Sequence, residues 1–147
     1  MPEMQVWKLR IDLYDKIPGT TNFNWYEFLW LNQFKFFVLP GDDQAQNIIN
    51  IMKKLQWIRD YFKKPTTITS GIRPAIYNAH IGGVTNSAHI NGEAVDFVIK
   101  GLDCDFVRSK IEPFLDVLQI RCENKPGSSW VHIDSKPPGR SGRFFIP

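Results

Sequence analysis

The clearest pattern in the chain is an apolar stripe that begins after Pro40-Gly41. Apolar residues recur there at steps of three and four, which predicts a helix with one face on a core. The residues of the stripe are Ile48, Ile51, Met52, Leu55, Ile58 and Phe62. Asp42 or Asp43 would begin this helix, and Pro65 would end it after Lys63-Lys64.

An aromatic segment from Phe23 to Phe37 precedes the stripe and predicts a shorter core helix that stops before Pro40. Asn24 and Glu27 fit a capping box at its start. A membrane span needs roughly 20 mostly apolar residues, and this segment is too polar for one. Its polar residues are Glu27, Asn32, Gln33 and Lys35. We therefore expect a core helix and no membrane span.

The second half of the chain alternates between apolar and polar positions over short runs that predict strands. These runs are 66–70, 94–99, 119–123 and 129–134. A turn or short helix is expected after Arg73-Pro74, a helix interrupted at Pro113 over 102–118, and an irregular loop over 137–142. Because helices come first and strands interleave later, we expect one α+β domain over residues 1–147 with a mainly antiparallel sheet.

Composition and charge narrow the class of protein. The chain is 43% hydrophobic and 22% charged, as in globular proteins. Its net charge of +3 favours an anionic surface such as a bacterial wall, and the alternative is an ordinary solvated surface. Because the charges are scattered, they give no support for nucleic-acid binding. The first eight residues lack the pattern of a secretory signal. We therefore expect Cys104 and Cys122 to be reduced thiols without a metal.

Two histidines and an aspartate have the composition of a catalytic zinc site. His89 lies seven residues before Asp96, across an Asn91-Gly92 turn signal. Side chains alternate faces along a strand, so a strand carrying His132 beside 94–99 would bring all three side chains to one point. Two imidazoles and one carboxylate leave the fourth position of a zinc ion open for water.

The other candidate ligands receive different interpretations. A histidine near a turn is usually a surface or satisfied core residue, and His80 is interpreted in that way because no partner has a suitable spacing. Asp134 is not expected to be a ligand. It would accept the second N–H of a bound imidazole, or pair with Arg73 or Arg140.

Several segments together form a series of motifs along nearly the whole chain. They are Asn22-Phe23 to Glu27-Phe28 (NFxxxEF), the segment from Leu55 (LQxIRD), Thr69-Ser70-Gly71-Ile72-Arg73 (SGYR), Asn78 to Gly83, Ser87-Ala88-His89 to Asp96 (SxHxxGxAxD) and Trp130-Val131-His132-Ile133-Asp134 (WVHVD). This series resembles the M15 zinc peptidases, which include D-alanyl-D-alanine carboxypeptidases and dipeptidases and phage L-alanyl-D-glutamate endolysins. The resemblance implies a hedgehog-like α+β fold, with N-terminal helices on a mainly antiparallel sheet, and zinc ligands His89, Asp96 and His132.

The resemblance also implies roles for two polar residues. Arg73 matches an arginine that binds a carboxylate or the oxyanion of a tetrahedral intermediate. Its alternative is an ion pair with Glu93 or Asp134. Ser87 matches a serine that helps to bind substrate, and its alternative is a hydroxyl that holds the turn before His89.

The general base is where the chain departs from the family pattern. Many members place Glu or Asp three residues before the last zinc histidine, where this chain has Ser129. Other branches supply the base from further upstream, and Glu123 is the only carboxylate between residues 123 and 129. If that loop folds over the zinc, Glu123 would take a proton from water and pass it to the leaving amine. The alternative is a solvated loop glutamate.

The resemblance implies a zinc metallopeptidase that hydrolyses peptidoglycan stem peptides at a bond involving a D-amino acid. Its partner would be peptidoglycan or a muropeptide, and we expect a monomer. Because no signal is found, we expect it in the cytoplasm of the producing cell, acting at the wall after release as a phage lysin does, or carried in a virion. The alternative function is a zinc-bearing binding or structural module of the same fold with little or no peptidase activity, as in hedgehog signalling domains.

Overall fold

The computed structural model describes residues 11–82 and 87–147, without the side chains of Tyr77 and His80. The interpretations of the first eight residues, of Gly83 and of the His80 side chain lie outside this part. The helices are α1 (Trp25–Leu29), α2 (Asp42–Phe62), α3 (Ala75–His80), α4 (Cys104–Ile111) and α5 (Leu115–Leu118), with 3₁₀ turns at Ala88–Asn91 and Glu112–Phe114. The strands are β1 (Trp30–Leu31), β2 (Phe36–Phe37), β3 (Thr66–Ser70), β4 (Ala94–Ile99), β5 (Arg121–Glu123), β6 (Val131–Asp134) and β7 (Phe144–Phe145).

Five strands form one sheet in the order β3-β4-β6-β5-β7. The pairs β3–β4, β4–β6 and β6–β5 are antiparallel, whereas β5 and β7 are parallel. The predicted α+β fold with a mainly antiparallel sheet is therefore confirmed. Strand β7 was not predicted, because two residues are too few to show the alternation that indicates a strand. Strands β5 and β6 each begin two residues later than predicted.

Helix α2 forms the predicted amphipathic element, and the apolar stripe up to Ile58 is completely buried. Burying such side chains stabilises the fold by about 1.5–3 kcal/mol each. The helix ends where Lys63 takes a left-handed conformation with φ 56°, just before Pro65. Among the described helices, α2 included, none combines the length and the apolar character that crossing a bilayer requires.

The aromatic segment is where the prediction was wrong. Helix α1 ends at Leu29, and β1 and β2 form a hairpin in which Trp30 lies opposite Phe37. Lys35 takes φ 57° in the turn between them. A hairpin sends alternate side chains to opposite faces, so Phe36 is exposed while Phe37 contacts the core. One helix face could not have accommodated these consecutive aromatic residues.

The start of α1 follows the predicted capping box. The backbone N–H of Asn24 donates to Oε2 of Glu27 over 2.9 Å. At the other end of the helix, the Phe28 carbonyl accepts a hydrogen bond of 3.2 Å from the Ile72 N–H. A Cβ at Gly71 would collide with that carbonyl oxygen. A glycine is therefore required where the chain leaving β3 approaches α1.

The predicted break at Pro113 separates α4 from α5 by a 3₁₀ turn. Asp103 caps α4, since its carboxylate accepts hydrogen bonds from the backbone N–H groups of Asp105 and Phe106, at 3.0 and 3.3 Å. Cys104 and Cys122 are both free. Burial raises the pKa of the Cys122 thiol to about 12, so this thiol is an apolar core group at neutral pH.

Candidate metal centre

The central strands bring the three predicted ligands together. Asp96 on β4 lies directly opposite His132 on β6. His89 lies in the 3₁₀ turn before β4, and Gly92 turns the chain back with φ 75°. A Cβ at Gly92 would lie 2.8 Å from Cγ1 of Ile48, so the turn also needs glycine for its contact with α2. The ligand atoms of the two histidines and the aspartate all lie within 4.8 Å of one another.

Backbone groups fix the orientation of His89. Its Nδ1 lies 2.7 Å from the Gly71 carbonyl oxygen. Because a carbonyl only accepts hydrogen bonds, Nδ1 carries a proton and Nε2 faces Oδ1 of Asp96 at 3.2 Å. The His89 N–H donates to the Ser87 hydroxyl at 3.2 Å, and the Arg73 N–H donates to the His89 carbonyl at 2.9 Å. Both the ring and its peptide units are thus held.

A chain of hydrogen bonds through Asp134 to Arg121 fixes the orientation of His132. Its Nδ1 lies 2.8 Å from Oδ1 of Asp96, and its Nε2 donates to Oδ2 of Asp134 over 2.8 Å. Asp134 in turn accepts two hydrogen bonds from Arg121, at 2.8 and 2.9 Å. Asp134 therefore has the expected position behind a ligand imidazole, but the guanidinium that grips it is Arg121. Sequence reasoning missed Arg121, although its place two residues before Glu123 in a predicted strand put both on one face.

Burial and hydrogen bonding drive the pKa values of the three groups apart. Burial lowers the pKa of His89, and the Asp96 carboxylate only partly opposes this effect. Burial also disfavours the charged form of His132, but its hydrogen bonds to Asp134 and Asp96 raise its pKa to about 9. Although burial opposes it, the same two imidazoles hold the pKa of Asp96 far below its usual range. A metal ion that binds Nδ1 of His132 must therefore displace the proton of its hydrogen bond to Asp96.

The donor set fits a zinc ion. Two imidazole nitrogens and one carboxylate oxygen are ligands that zinc takes in catalytic sites. Ligand atoms around a tetrahedral zinc lie about 3.4 Å apart, given bonds of about 2.1 Å. Oδ1 of Asp96 lies 3.2 Å from Nε2 of His89 and 2.8 Å from Nδ1 of His132. Small outward movements of these atoms would accommodate the ion.

A cleft of about 890 Å³ is lined by the three candidate ligands and by both predicted substrate-binding residues. Arg73 and Ser87 line its wall on the His89 side. Burial lowers the pKa of His89, and the charge of Arg73 contributes to the same shift. Ser87 has the structural role that was its alternative, as acceptor from the His89 N–H, and it also faces the cleft.

Glu123 lines the same cleft from the His132 side. It is the last residue of β5 and does not belong to a loop that must fold over the site. Because Cys122 pairs with Ile133 in the antiparallel register, the next position along β5 lies beside His132. Ser129, which occupies the usual acidic position, is exposed.

The loop that follows Glu123 is fastened to α4, a feature that the sequence did not reveal. The buried guanidinium of Arg108 donates to the Trp130 carbonyl over 2.8 Å and to the Ser128 carbonyl over 3.3 Å. Asp105, which pairs with Arg108, accepts from the Gly127 N–H at 3.0 Å. These partners lie about 20 residues apart in the chain, so no local pattern predicts them.

Two comparisons with known proteins complete the description of the site. The model of the Peptidase M15 family matches residues 34–134, a range that contains the three candidate ligands as well as Arg73, Ser87 and Glu123. No curated protein matches the chain.

Proposed function

This chain belongs to the Peptidase M15 family, and we propose that it is a zinc-dependent peptidase that cleaves peptidoglycan stem peptides at a bond involving a D-amino acid. The observation that carries the proposal is the convergence of His89, Asp96 and His132 at one cleft. Its volume of about 890 Å³ lies in the upper part of the range for ligand sites, about 300–1,000 Å³. A peptide of several residues therefore fits beside the metal.

The His89 side of the cleft binds and orients the substrate. A zinc ion held by the three ligands would polarise the scissile carbonyl and lower the pKa of water. The planar guanidinium of Arg73 suits a substrate carboxylate or the developing oxyanion. The Ser87 hydroxyl accepts from the His89 N–H and keeps its own O–H to donate to the substrate.

The His132 side of the cleft supplies the proton transfer. Glu123 ends β5 beside His132, where its carboxylate takes a proton from the attacking water and delivers it to the leaving amine. What supports this role is its position on a paired strand with the following loop fastened to α4. The acidic position of other family members is Ser129 here and has no carboxylate.

The setting of the reaction follows from the motif resemblance. We propose that the chain acts as a monomer at the bacterial wall, after release from the producing cell as a phage lysin or as part of a virion. Cationic side chains on the cleft, Arg73, Lys125 and Lys136, complement the carboxylates of stem peptides.

Incubating zinc-loaded protein with peptidoglycan or muropeptides tests the function. Mass spectrometry should detect new amino termini that disappear with a chelator and with His132→Ala. A matched control is His80→Ala, since the sequence leaves His80 out of the ligand set, and it should retain cleavage. New termini that persist in His132→Ala would contradict the proposal.

The alternative is a zinc-bearing binding module with little turnover, and the exposed Ser129 in the usual acidic position favours it. This alternative predicts stoichiometric zinc without any release of amino termini between about pH 6 and pH 9, the range in which a metallopeptidase base operates. Cleavage that depends on Glu123 would exclude it.

A further inference from the structure

We propose that Arg121 and Phe145 form a clamp that fixes the imidazole of His132 with Nδ1 toward the metal position, and that this clamp strengthens metal binding. Arg121 and Phe145, here called the Arg121–Phe145 clamp, are positioning residues, since Arg121 acts through Asp134 and Phe145 acts through Arg121 and His132. The inference rests on the proposed function only in taking the site to hold a metal ion.

The first part of the clamp is the grip of Arg121 on Asp134. The Asp134 side chain is buried, and both of its oxygens are occupied. Oδ1 accepts from Nε of Arg121 at 2.8 Å and from the Lys136 N–H at 3.1 Å. Oδ2 accepts from Nη2 of Arg121 at 2.9 Å and from Nε2 of His132 at 2.8 Å. A carboxylate held at both oxygens cannot rotate, and its charge is compensated by the guanidinium.

This grip decides which nitrogen of His132 keeps its proton when a metal ion binds. An ionised carboxylate only accepts hydrogen bonds, so Nε2 must donate to Asp134. Nδ1 is then the nitrogen available to a metal, on the side of Asp96. Were Asp134 free to turn, the ring could lose this partner and expose a protonated nitrogen to the metal position. Partners of this kind are worth about 10–100-fold in metal affinity.

The second part of the clamp is the Phe145 ring. Cζ of Arg121 lies 3.9 Å from the centroid of this ring, within the distance of a cation–π contact. The same ring lies edge-on to His132, with centroids 6.0 Å apart and planes at 79°. Phe145 thus contacts both Arg121 and His132, the two residues whose side chains bind Asp134.

Backbone hydrogen bonds hold the Phe145 ring in place. In the parallel β5–β7 pair, the Cys122 N–H donates to the Arg143 carbonyl and the Asn124 N–H donates to the Phe145 carbonyl, each over 2.7 Å. These bonds flank Glu123, so β7 braces the strand that carries both Arg121 and Glu123. Strand β7 lies beyond residue 134, where the family match ends. Phe145 therefore lies outside the matched region, whereas Arg121 and Asp134 lie within it.

Zinc affinity of the full-length chain tests the clamp, measured by competition with a chromophoric chelator. Arg121→Gln should weaken zinc binding about 10–100-fold and Phe145→Ala about tenfold, as expected for groups that orient a ligand. Arg121→Lys should lie between wild type and Arg121→Gln, because an ammonium cannot hold both oxygens in a planar fork. The matched control is Arg143→Gln, since Arg143 pairs with the exposed Asp116, and it should change affinity less than about twofold.

Imidazole NMR gives a readout that a general loss of stability would not move. In the zinc-loaded wild type, the Nε2–H of His132 should exchange slowly with solvent, and Arg121→Gln should abolish this protection. The clamp would be overturned if Arg121→Gln and Phe145→Ala bound zinc as tightly as Arg143→Gln and the Nε2–H of His132 remained protected in Arg121→Gln.

Two milder variants keep the test decisive if Arg121→Gln does not fold. Arg121→Lys keeps the charge and Phe145→Leu keeps apolar packing, and both should still show faster exchange of the His132 Nε2–H. Unchanged exchange in both would overturn the clamp. A wild type that binds no zinc would instead contradict the proposed function, and the exchange rates of the metal-free proteins would still decide whether the clamp exists.

Discussion

The two histidines of the candidate metal centre are held in different ways. His89 donates to a backbone carbonyl, that of Gly71, and burial lowers its pKa. His132 donates to a carboxylate that Arg121 grips, and these hydrogen bonds raise its pKa despite burial. The path of the backbone therefore orients His89, whereas a carboxylate and its guanidinium partner orient His132. Substitutions that shift the backbone should therefore disturb His89, whereas substitutions that remove a charge should disturb His132.

The largest expected effect comes from the group that the two sides share. Asp96 contacts both imidazoles through Oδ1, at 3.2 and 2.8 Å. Asp96→Ala should therefore lose zinc altogether, since two imidazoles alone are not a stable zinc site. Metal analysis after gel filtration measures this loss, and Asp116→Ala, which removes an exposed carboxylate, is the control. Stoichiometric zinc in Asp96→Ala would contradict the ligand set.

The next largest effect should fall on kcat alone and leave substrate and zinc binding unchanged. Glu123→Gln on the His132 side should lower kcat about 10²–10⁴-fold with little change in KM, because it removes only proton transfer. Its zinc content should stay at that of wild type. Cleavage of muropeptides under saturating substrate measures kcat, with Glu112→Gln on the outside of the fold as the control. An unchanged kcat would mean that the base is another group.

A backbone change should damage the His89 side first. A Cβ at Gly71 would collide with the Phe28 carbonyl, so Gly71→Ala should destabilise the fold by about 1–3 kcal/mol and displace the carbonyl that orients His89. Urea unfolding measures the loss. Gly139→Ala is the matched control, since nothing lies within 4 Å of a Cβ there. Equal unfolding free energies for the two variants would refute this account of Gly71.

A further expected effect is a pH dependence that belongs to the His132 side. Burial opposes its charge, yet hydrogen bonds to Asp134 and Asp96 raise the pKa of His132 from 6.5 to about 9. A raised pKa gives stability that is complete below pH 6.5 and is lost as the pH rises through about 9. The lowered pKa of His89 has its effect in a different pH range. It reduces stability as the pH falls through 6.5.

Zinc should remove this slope, because a bound metal ion takes the place of the His132 proton. Thermal unfolding between pH 6.5 and 9 would therefore show metal-free protein becoming less stable while zinc-loaded protein gains stability over the metal-free form. The two curves should diverge with rising pH. Parallel curves would show that the His132 proton and the metal do not compete.

The same contrast explains what the sequence could predict. Strand β4 was predicted with its observed bounds, because its apolar residues alternate and Asp96 interrupts them on the other face. The meeting of Asp96 with His132 followed once both strands were adjacent. The grip of Arg121 on Asp134 could not be predicted in the same way, because it depends on the register of a third strand only three residues long.

The aromatic segment shows a different limit. Residues 30–37 have strong apolar character with no period that separates a helix from a hairpin, and the structure forms a hairpin with Lys35 in a left-handed turn. Local pairing of β1 with β2 forms this element after α1 ends. The capping box at Asn24 and Glu27 was predicted correctly because it depends on residues three apart.

The most direct test of the central claim is a zinc-edge anomalous difference map from crystals grown with one equivalent of zinc. The account predicts one strong peak about 2.0–2.2 Å from Nε2 of His89, a carboxylate oxygen of Asp96 and Nδ1 of His132. A peak elsewhere, or one bound through Nε2 of His132, would contradict it.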